Sequence, residues 1–273
     1  MTHPTQLTKR EMARQLGVSR SSLYYHPKLP DRDEEVKHQI EAVLVEKLEY
    51  GHKRIALELK LNKKRILRVM KKFDIKPRSR KVRNPPKPDD LGKEPGPFPN
   101  VSKLCCPIRS GVLWASDFTY LYFQGKFIYL ATIIDVFTRE VVGYAVSRHH
   151  NSALVLAALE DALTHHKPPL WLHSDQGSEY KSKVYCHRCS EASINISMSD
   201  KSSPWQNPYQ ESFYDKFKVT LGFLDRFEDL GELVAAIHEA IYYYNYKRIH
   251  TALKMAPVAY KQALTIKSDR VRV

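Results

Sequence analysis

The sequence predicts a mixed α/β sheet preceded by a small all-helical region. Three observations carry that prediction. Before residue 76 the apolar residues recur at helical spacing, and after residue 111 β-rich runs alternate with helical ones. Between them, residues 77–107 hold 8 of the 16 prolines, the sharpest break in composition along the chain. The boundaries that follow are an all-helical region over 1–76, a Pro-rich basic linker over 77–111, a core over 112–229, and a C-terminal helix with a basic tail over 230–273. A proline-rich connection of this kind predicts two units with few shared contacts.

In chain order, Thr8 and Glu11 have capping-box spacing, and a short helix through Met12, Ala13 and Leu16 stops at Gly17. Ser19 caps a second helix carrying Arg20, Ser22, Tyr24 and Tyr25, which completes a helix-turn-helix pattern. Val36, Ile40, Val43, Leu44 and Leu48 mark a longer helix. The run YGHKRIALELKLNKKRILRVMKKF contains two more, the second capped by Asn62, with Ile66, Met70 and Phe73 toward a core. After the linker, GVLWASDFTYLYF, KFIYLATIIDVF and REVVGYAVS form an antiparallel meander. A helix over 151–166, a strand in PPLWLHSD, a helix, a strand in INISMS, and helices over 207–223 and 231–246 complete a five-stranded mixed sheet.

Charge narrows the function. The chain of 273 residues carries +14, of which residues 1–100 hold 24 Lys/Arg against 13 Asp/Glu. Half of those 24 cations lie between Lys60 and Arg83, a bias that fits a polyanion and most simply nucleic acid. The bland alternative is a solvated helix face. The candidates for phosphate contact are Arg20 in the first helix pair and Lys53, Arg54, Lys63, Lys64, Arg65, Arg68, Lys71 and Lys72 in the second. Lys218 and, after the last core helix, Arg248 and His250 join them. Ordinary capping of a helix C-terminus is the competing account of the last two. No apolar run approaches the ~20 residues of a membrane span. Four cysteines suit a reducing compartment, so a cytoplasmic location is expected. Cys186 and Cys189 have C-x-x-C spacing, yet no second pair completes an obvious zinc site.

A carboxylate inside an apolar strand is costly unless it is paired or binds a cation. Asp117 in LWASDFTYL meets that description, whereas Asp135 in TIIDVFTRE reads as a turn residue. Asp175 closes the strand LWLHSD, and Glu179 follows it four residues later. On the helix QESFYDKFKVTL, Phe213, Phe217, Leu221 and Leu224 form an apolar stripe, while Glu211, Asp215 and Lys218 share the other face. Fifty-seven residues separate Asp117 from Asp175, and 35 separate Asp175 from Glu211.

That spacing resembles the catalytic triad of DDE transposases and retroviral integrases. The blocks WASDFTYL, YLATIIDVFTREVVGY, LHSDQGSEYKS, ISMSDKSSPWQNPYQESFYDKFK and YYYNYKRIHTAL resemble the catalytic frame of a large insertion-sequence transposase family. YGHKRIALELKLNKKRILRVMKKFDIKPRSR resembles the helix-turn-helix segment that precedes its core. One departure is local: SSPWQNPYQ stands where many relatives have a Gly- and Asp-containing run. The resemblance implies an RNase H-like core with Asp117, Asp175 and Glu211 as catalytic and metal-binding residues. It implies two Mg²⁺ or Mn²⁺ ions per site, DNA element ends and target DNA as partners, and a homo-oligomer formed on DNA. It also implies a nucleoid-associated chain that acts alone or with an upstream-frame protein or fusion, and no membrane. Of Asp175 and Glu179, Asp175 would act, and Glu179 would cap a helix or contact DNA. A non-catalytic DNA-binding regulator, and a nuclease of the same fold that never rejoins strands, stay open beside a transposase.

Overall fold

Leu113–Phe123 (β1) is buried over its first four residues and alternates beyond them, with Leu121 and Phe123 inward and Tyr120 and Tyr122 outward. Such a strand lies in the middle of a sheet that is covered on both faces at one end. In the computed structural model, which describes residues 8–24, 29–78, 93–104 and 106–271, β1 is the central strand of five. Gln124 and Gly125 both take positive φ, 46° and 77°, and reverse the chain into Lys126–Asp135 (β2). Two consecutive left-handed residues match the twist of a two-residue hairpin. Val141–Ser147 (β3) completes the antiparallel meander.

The chain then crosses the sheet through helix Ser152–His165, and Trp171–Ser174 (β4) pairs parallel with β1. Asn195–Met198 (β5), reached through helix Lys183–Glu191, pairs parallel with β4, so the order is β3-β2-β1-β4-β5. Ala131, Ile133, Leu159, Tyr180 and Cys189 are buried under those two helices, and Leu130, Phe213, Phe217 and Ile237 under the helices of the other face. Gly143 is a packing requirement: a Cβ there would lie 2.5 Å from the carbonyl of Ala158 and 2.6 Å from the Ala162 methyl. These are the five strands and flanking helices expected of the core.

In chain order the helices are α1 (Lys9–Gln15), α2 (Leu29–Glu46), α3 (His52–Glu58), α4 (Lys63–Lys72), α5 (Ser152–His165), α6 (Lys183–Glu191), α7 (Pro208–Leu221), α8 (Leu230–Tyr242) and α9 (Pro257–Val271). Thr8 and Glu11 close the capping box of α1, and the Asn62 side chain caps α4 by accepting from Lys64 N–H. The segment after Ser19 differs from expectation. It is a five-residue 3₁₀ turn, Arg20–Tyr24, with no buried residue. Tyr25, Cys105, and Arg80, Lys81 and Arg83 of the linker lie outside the described residues. In α4, Ile66, Val69 and Met70 are buried against Val36, Ile40 and Ile55, and Phe73 packs at the edge of that cluster.

The two regions share more than the prolines suggested. Arg54 Nε donates to the Ile249 carbonyl (2.9 Å), Ile249 N–H donates to Tyr50 Oη (2.8 Å), and Arg248 pairs with Glu49 (3.2 Å). The described part of the linker is strapped along the sheet edge rather than free. Met198 N–H donates to Pro99, Val101 N–H to Ser197 Oγ, and Lys201 N–H to Glu94. Beyond α8 the chain runs through a π segment, Tyr243–Lys247, and the tail read as basic is helix α9 over Pro257–Val271. Among the described residues no helix is long and apolar enough to cross a membrane.

Candidate active site

The parallel pairing of β1 with β4 aligns Ala115 with His173. Asp117 lies two residues further along β1, and Asp175 follows directly on the end of β4 at Ser174, so the two acids come from neighbouring strands. Helix α7 brings Glu211 to them from its first turn. What holds α7 there is a set of polar side chains that carried no sequence signal beyond their helical spacing. Asn207 Nδ2 donates to the Ser116 carbonyl (3.1 Å), Gln210 Nε2 to the Ala115 carbonyl (2.6 Å), and Tyr214 Oη to the Asp117 carbonyl (2.7 Å). Asn207, Gln210 and Tyr214 recur at three and four residues and are buried, so α7 grips the strand that carries Asp117. The expected stripe of Phe213, Phe217 and Leu221 is buried, while Leu224 belongs to a separate 3₁₀ turn.

Asp117, Asp175 and Glu211 line one cavity of about 400 Å³, with Asp200, Lys201 and Asn207 among its other walls. A larger cavity of about 460 Å³ near Tyr120 and Phe223 contains no carboxylate. Burial pushes the Asp117 carboxyl up to about 7, with the negative charges of Asp175 and Glu211 adding to the shift and the Phe118 N–H (2.8 Å) opposing it. Asp175 reaches solvent at the cavity mouth, yet the protein around its carboxyl raises its pKa, against the Gly177 N–H at 2.9 Å. Glu211 is raised by burial and by Asp215. Asp200 behaves differently, because Lys103 at 2.7 Å holds it low.

Three acids with raised pKa values around one space call for positive charge there. Their donor atoms are all carboxylate oxygens, the set that suits Mg²⁺ or Mn²⁺. Among the described residues no three Asp, Glu, His or Cys side chains are drawn together into a metal-ligand cluster. At ~4 Å, two carboxylates repel by about 4 kcal/mol at an effective dielectric near 20, a cost that a bound cation would offset.

Glu179 does not cap a helix. Its carboxylate faces His150 (3.0 Å) and Ser178, and Ser182 caps α6 instead. Asp135 is the turn residue expected, accepting from Gly111, Phe137 and Thr138 N–H. Burial pushes the Cys189 thiol up to about 12, as befits a core side chain of α6. The segment SSPWQNPYQ supplies a 3₁₀ turn, Pro204–Gln206, and then the start of α7.

The expected phosphate contacts separate into groups. Arg20, Lys53, Lys63, Lys64 and Lys71 are exposed. Arg68 forms a bidentate pair with buried Asp33 (2.6 and 2.7 Å), Lys72 joins it at 3.2 Å, and Arg65 donates to the Arg32 carbonyl, so these three tie α4 to α2. Lys218 lies 5.4 Å from the centre of the Tyr120 ring. Arg54, Arg248 and His250 are largely withdrawn into the junction between the helical region and the core. Arg139, which no sequence signal singled out, joins them there.

Two family profiles, both described as integrase core domain, match residues 108–204 and 192–257. The chain is 32% identical over 265 residues to transposase InsK of insertion sequence element IS150 from Escherichia coli, covering 92% of each chain. It is 30% identical over 269 residues to the 31 kDa protein of insertion element IS600 from Shigella sonnei, covering 92% of this chain and 97% of that one. Among solved structures it is similar in fold to a chain of the simian T-cell lymphotropic virus intasome in complex with the PP2A regulatory subunit B56 gamma. That match has a TM-score of 0.52 at 16% identity and covers 82% of this chain and 74% of that one.

Proposed function

This chain belongs to the insertion-sequence transposases that carry an integrase core domain, and from that premise we propose that Asp117, Asp175 and Glu211 are its catalytic carboxylates. As a member it is a polynucleotidyl transferase that handles DNA. The observation that carries the assignment is the cavity they share, in which Asp117 is pushed up to about 7 by burial and by its acidic neighbours. Two Mg²⁺ or Mn²⁺ ions fit this all-oxygen donor set. Bound there, they would activate the attacking water or 3′-hydroxyl and neutralise charge on the leaving 3′-oxygen.

The protein's own part is positional. Asn207, Gln210 and Tyr214 keep Glu211 against the strand of Asp117, so these two acids are held on rigid elements. Lys201 lies in the cavity wall with its ammonium paired to Glu94 at 2.8 Å. Water as nucleophile gives strand cleavage; the freed 3′ end as nucleophile gives strand transfer into a target. Neither needs a covalent enzyme intermediate. The exposed cations Lys63, Lys64 and Lys71 of α4 are the surface that holds the element ends, and copies of the chain assemble on that DNA.

The test is strand transfer from a pre-cut element end in Mg²⁺. Product should form with the native chain and vanish with Asp175→Asn while duplex binding persists. Cleavage without any transfer of a pre-cut end would assign a nuclease instead, and undiminished cleavage in excess chelator would remove the metal from the mechanism.

A further inference from the structure

Behind α7, on the side away from Glu211, lies a further cavity of about 260 Å³. Arg54 of α3, Arg139 of the β2–β3 turn, Lys216 of α7, and Arg248 and His250 beyond α8 line it, with Tyr209 beside them. We propose that this pocket binds a phosphate of the DNA backbone, a contact separate from the catalytic acids.

The first support is unmet hydrogen-bonding capacity. Nε and Nη1 of Arg139, Nη2 of Arg248 and Nδ1 of His250 are buried without a hydrogen-bond partner among the described residues. Arg248 is only 2% exposed, so its free Nη2 is a donor that no bulk water serves. Buried donors are almost always satisfied, and leaving several unmet in one place is costly. Guanidinium forks that share a cavity match the oxygens of a phosphate.

The second support is charge. Burial depresses His250 to about 4, and the nearby charges of Arg139, Arg248 and Arg54 add to the shift. Among the described residues Glu49 is the carboxylate that pairs with them, and it is already engaged by Arg248 Nε and Tyr243 Oη. Arg139 stacks on Tyr209, 4.0 Å from the ring centre, which holds the guanidinium in place without consuming its donors. Its backbone lies in the left-handed region, φ 66°, so the turn that presents it is specialised. At about 30 Å³ per water in the liquid, the cavity has room for a phosphate oxygen cluster. Ser212 on its rim is exposed, which leaves a way in.

Geometry gives the pocket a role. Tyr209, Ser212 and Lys216 face it, whereas Asn207 and Glu211 face the acidic cavity, so one helix about 10 Å across separates the two. A strand held by its phosphate on one side of α7 is positioned relative to the acids on the other. Because Arg54 comes from the helical region, the same phosphate would also bridge that region to the core. The inference rests on the DNA-handling reading above, though not on which carboxylates are catalytic.

The test uses the full chain with Arg139→Gln and Arg139→Lys, which leave the Glu49–Arg248 pair and the Arg54–Ile249 hydrogen bond in place. Inorganic phosphate should raise the melting temperature of the native chain and shift its His250 imidazole resonances, and do neither in Arg139→Gln. Duplex affinity should fall about tenfold or more in Arg139→Gln, with the salt slope reduced by about one, and recover only in part in Arg139→Lys. A phosphate response with an unchanged salt slope would make the ligand a free anion and overturn the DNA contact. No phosphate response and no change in slope would overturn the pocket altogether. If cleavage by Asp175→Asn is lost while Arg139→Gln behaves as native, the pocket fails and the active-site assignment stands.

Discussion

The two sides of α7 carry opposite charge and reach it by opposite routes. Toward the sheet edge, Asp117, Asp175 and Glu211 come from three elements and gather around a cavity with their pKa values raised. Toward the helical region, Arg54, Arg139 and Arg248 gather with donors unmet. Each side on its own is a concentration of like charge, which folding alone would avoid. A partner of opposite sign relieves each one: cations for the acids and phosphate for the guanidiniums. On the proposed reading DNA with bound metal brings both, which places binding energy on two sides of this helix rather than one.

The largest effect that sharpens this contrast is catalytic. Asp117→Asn, Asp175→Asn and Glu211→Gln should each lower cleavage and transfer by about a thousandfold, equivalent to several kcal/mol at the transition state, and leave duplex binding largely intact. Glu179→Gln, whose carboxylate faces His150, should keep clear activity. Parallel losses of duplex affinity and cleavage in the triad variants would erase the division of labour across α7.

Next comes the pH dependence of the acidic side. The folded pKa of Asp117, about 7, lies above the ordinary carboxylate value, so its contribution to stability is fully present below about pH 4 and is lost as pH rises through 7. Metal-free protein should therefore lose on the order of 4 kcal/mol of stability between about pH 4 and 8 from this group. Asp117→Asn should flatten that decline in denaturation curves taken across the range, and Mg²⁺ should stabilise the native chain more at the alkaline end. A native chain without the decline would mean that the acids are better solvated than their cavity indicates.

The cationic side has a structural member. Arg248 and Glu49 are 2% and 7% exposed, and breaking a buried pair from one side costs about 3–5 kcal/mol. Arg248→Met should show that loss in chemical denaturation, whereas Arg139→Gln should melt close to the native chain. If both variants melt alike, Arg139 is part of the scaffold and the two sides of α7 are less distinct.

The smallest effect lies away from α7. Replacing Lys63 or Lys64, both exposed, with alanine should leave melting unchanged and lower the salt slope of DNA binding by up to about one per lost phosphate contact. Arg68→Ala should destabilise the helical region instead, because it leaves buried Asp33 with Lys72 alone. A salt slope that does not move for either lysine would make α4 a solvated face.

Much of this was legible before any coordinates. The strands from GVLWASDFTYLYF to INISMS and the helices over 151–166 and 207–223 follow from apolar period and turn residues, which act over a few neighbours. Asp117 was legible because a carboxylate within an apolar strand has no cheap local explanation, whereas Asp175 and Glu211 were singled out by the resemblance of the blocks around them to insertion-sequence transposases. The residues that were missed, Asn207, Gln210, Tyr214 and Arg139, are ordinary polar surface residues in the sequence. They acquire partners only because a strand or a ring lies opposite them.

The sequence by itself determined the order of strands and helices, the capped starts of α1 and α4, and the cost of placing Asp117 inside an apolar strand. Each of these depends on period, capping or the cost of burying a charge, all of which act locally. The tertiary structure alone decided which cations face solvent. Arg54 and Lys53 are adjacent and chemically alike, but Arg54 meets the Ile249 carbonyl, 195 residues away, while Lys53 stays exposed. A side chain's charge is written in its own residue, whereas its burial and its partner are set by chain that folds back against it from far along the sequence.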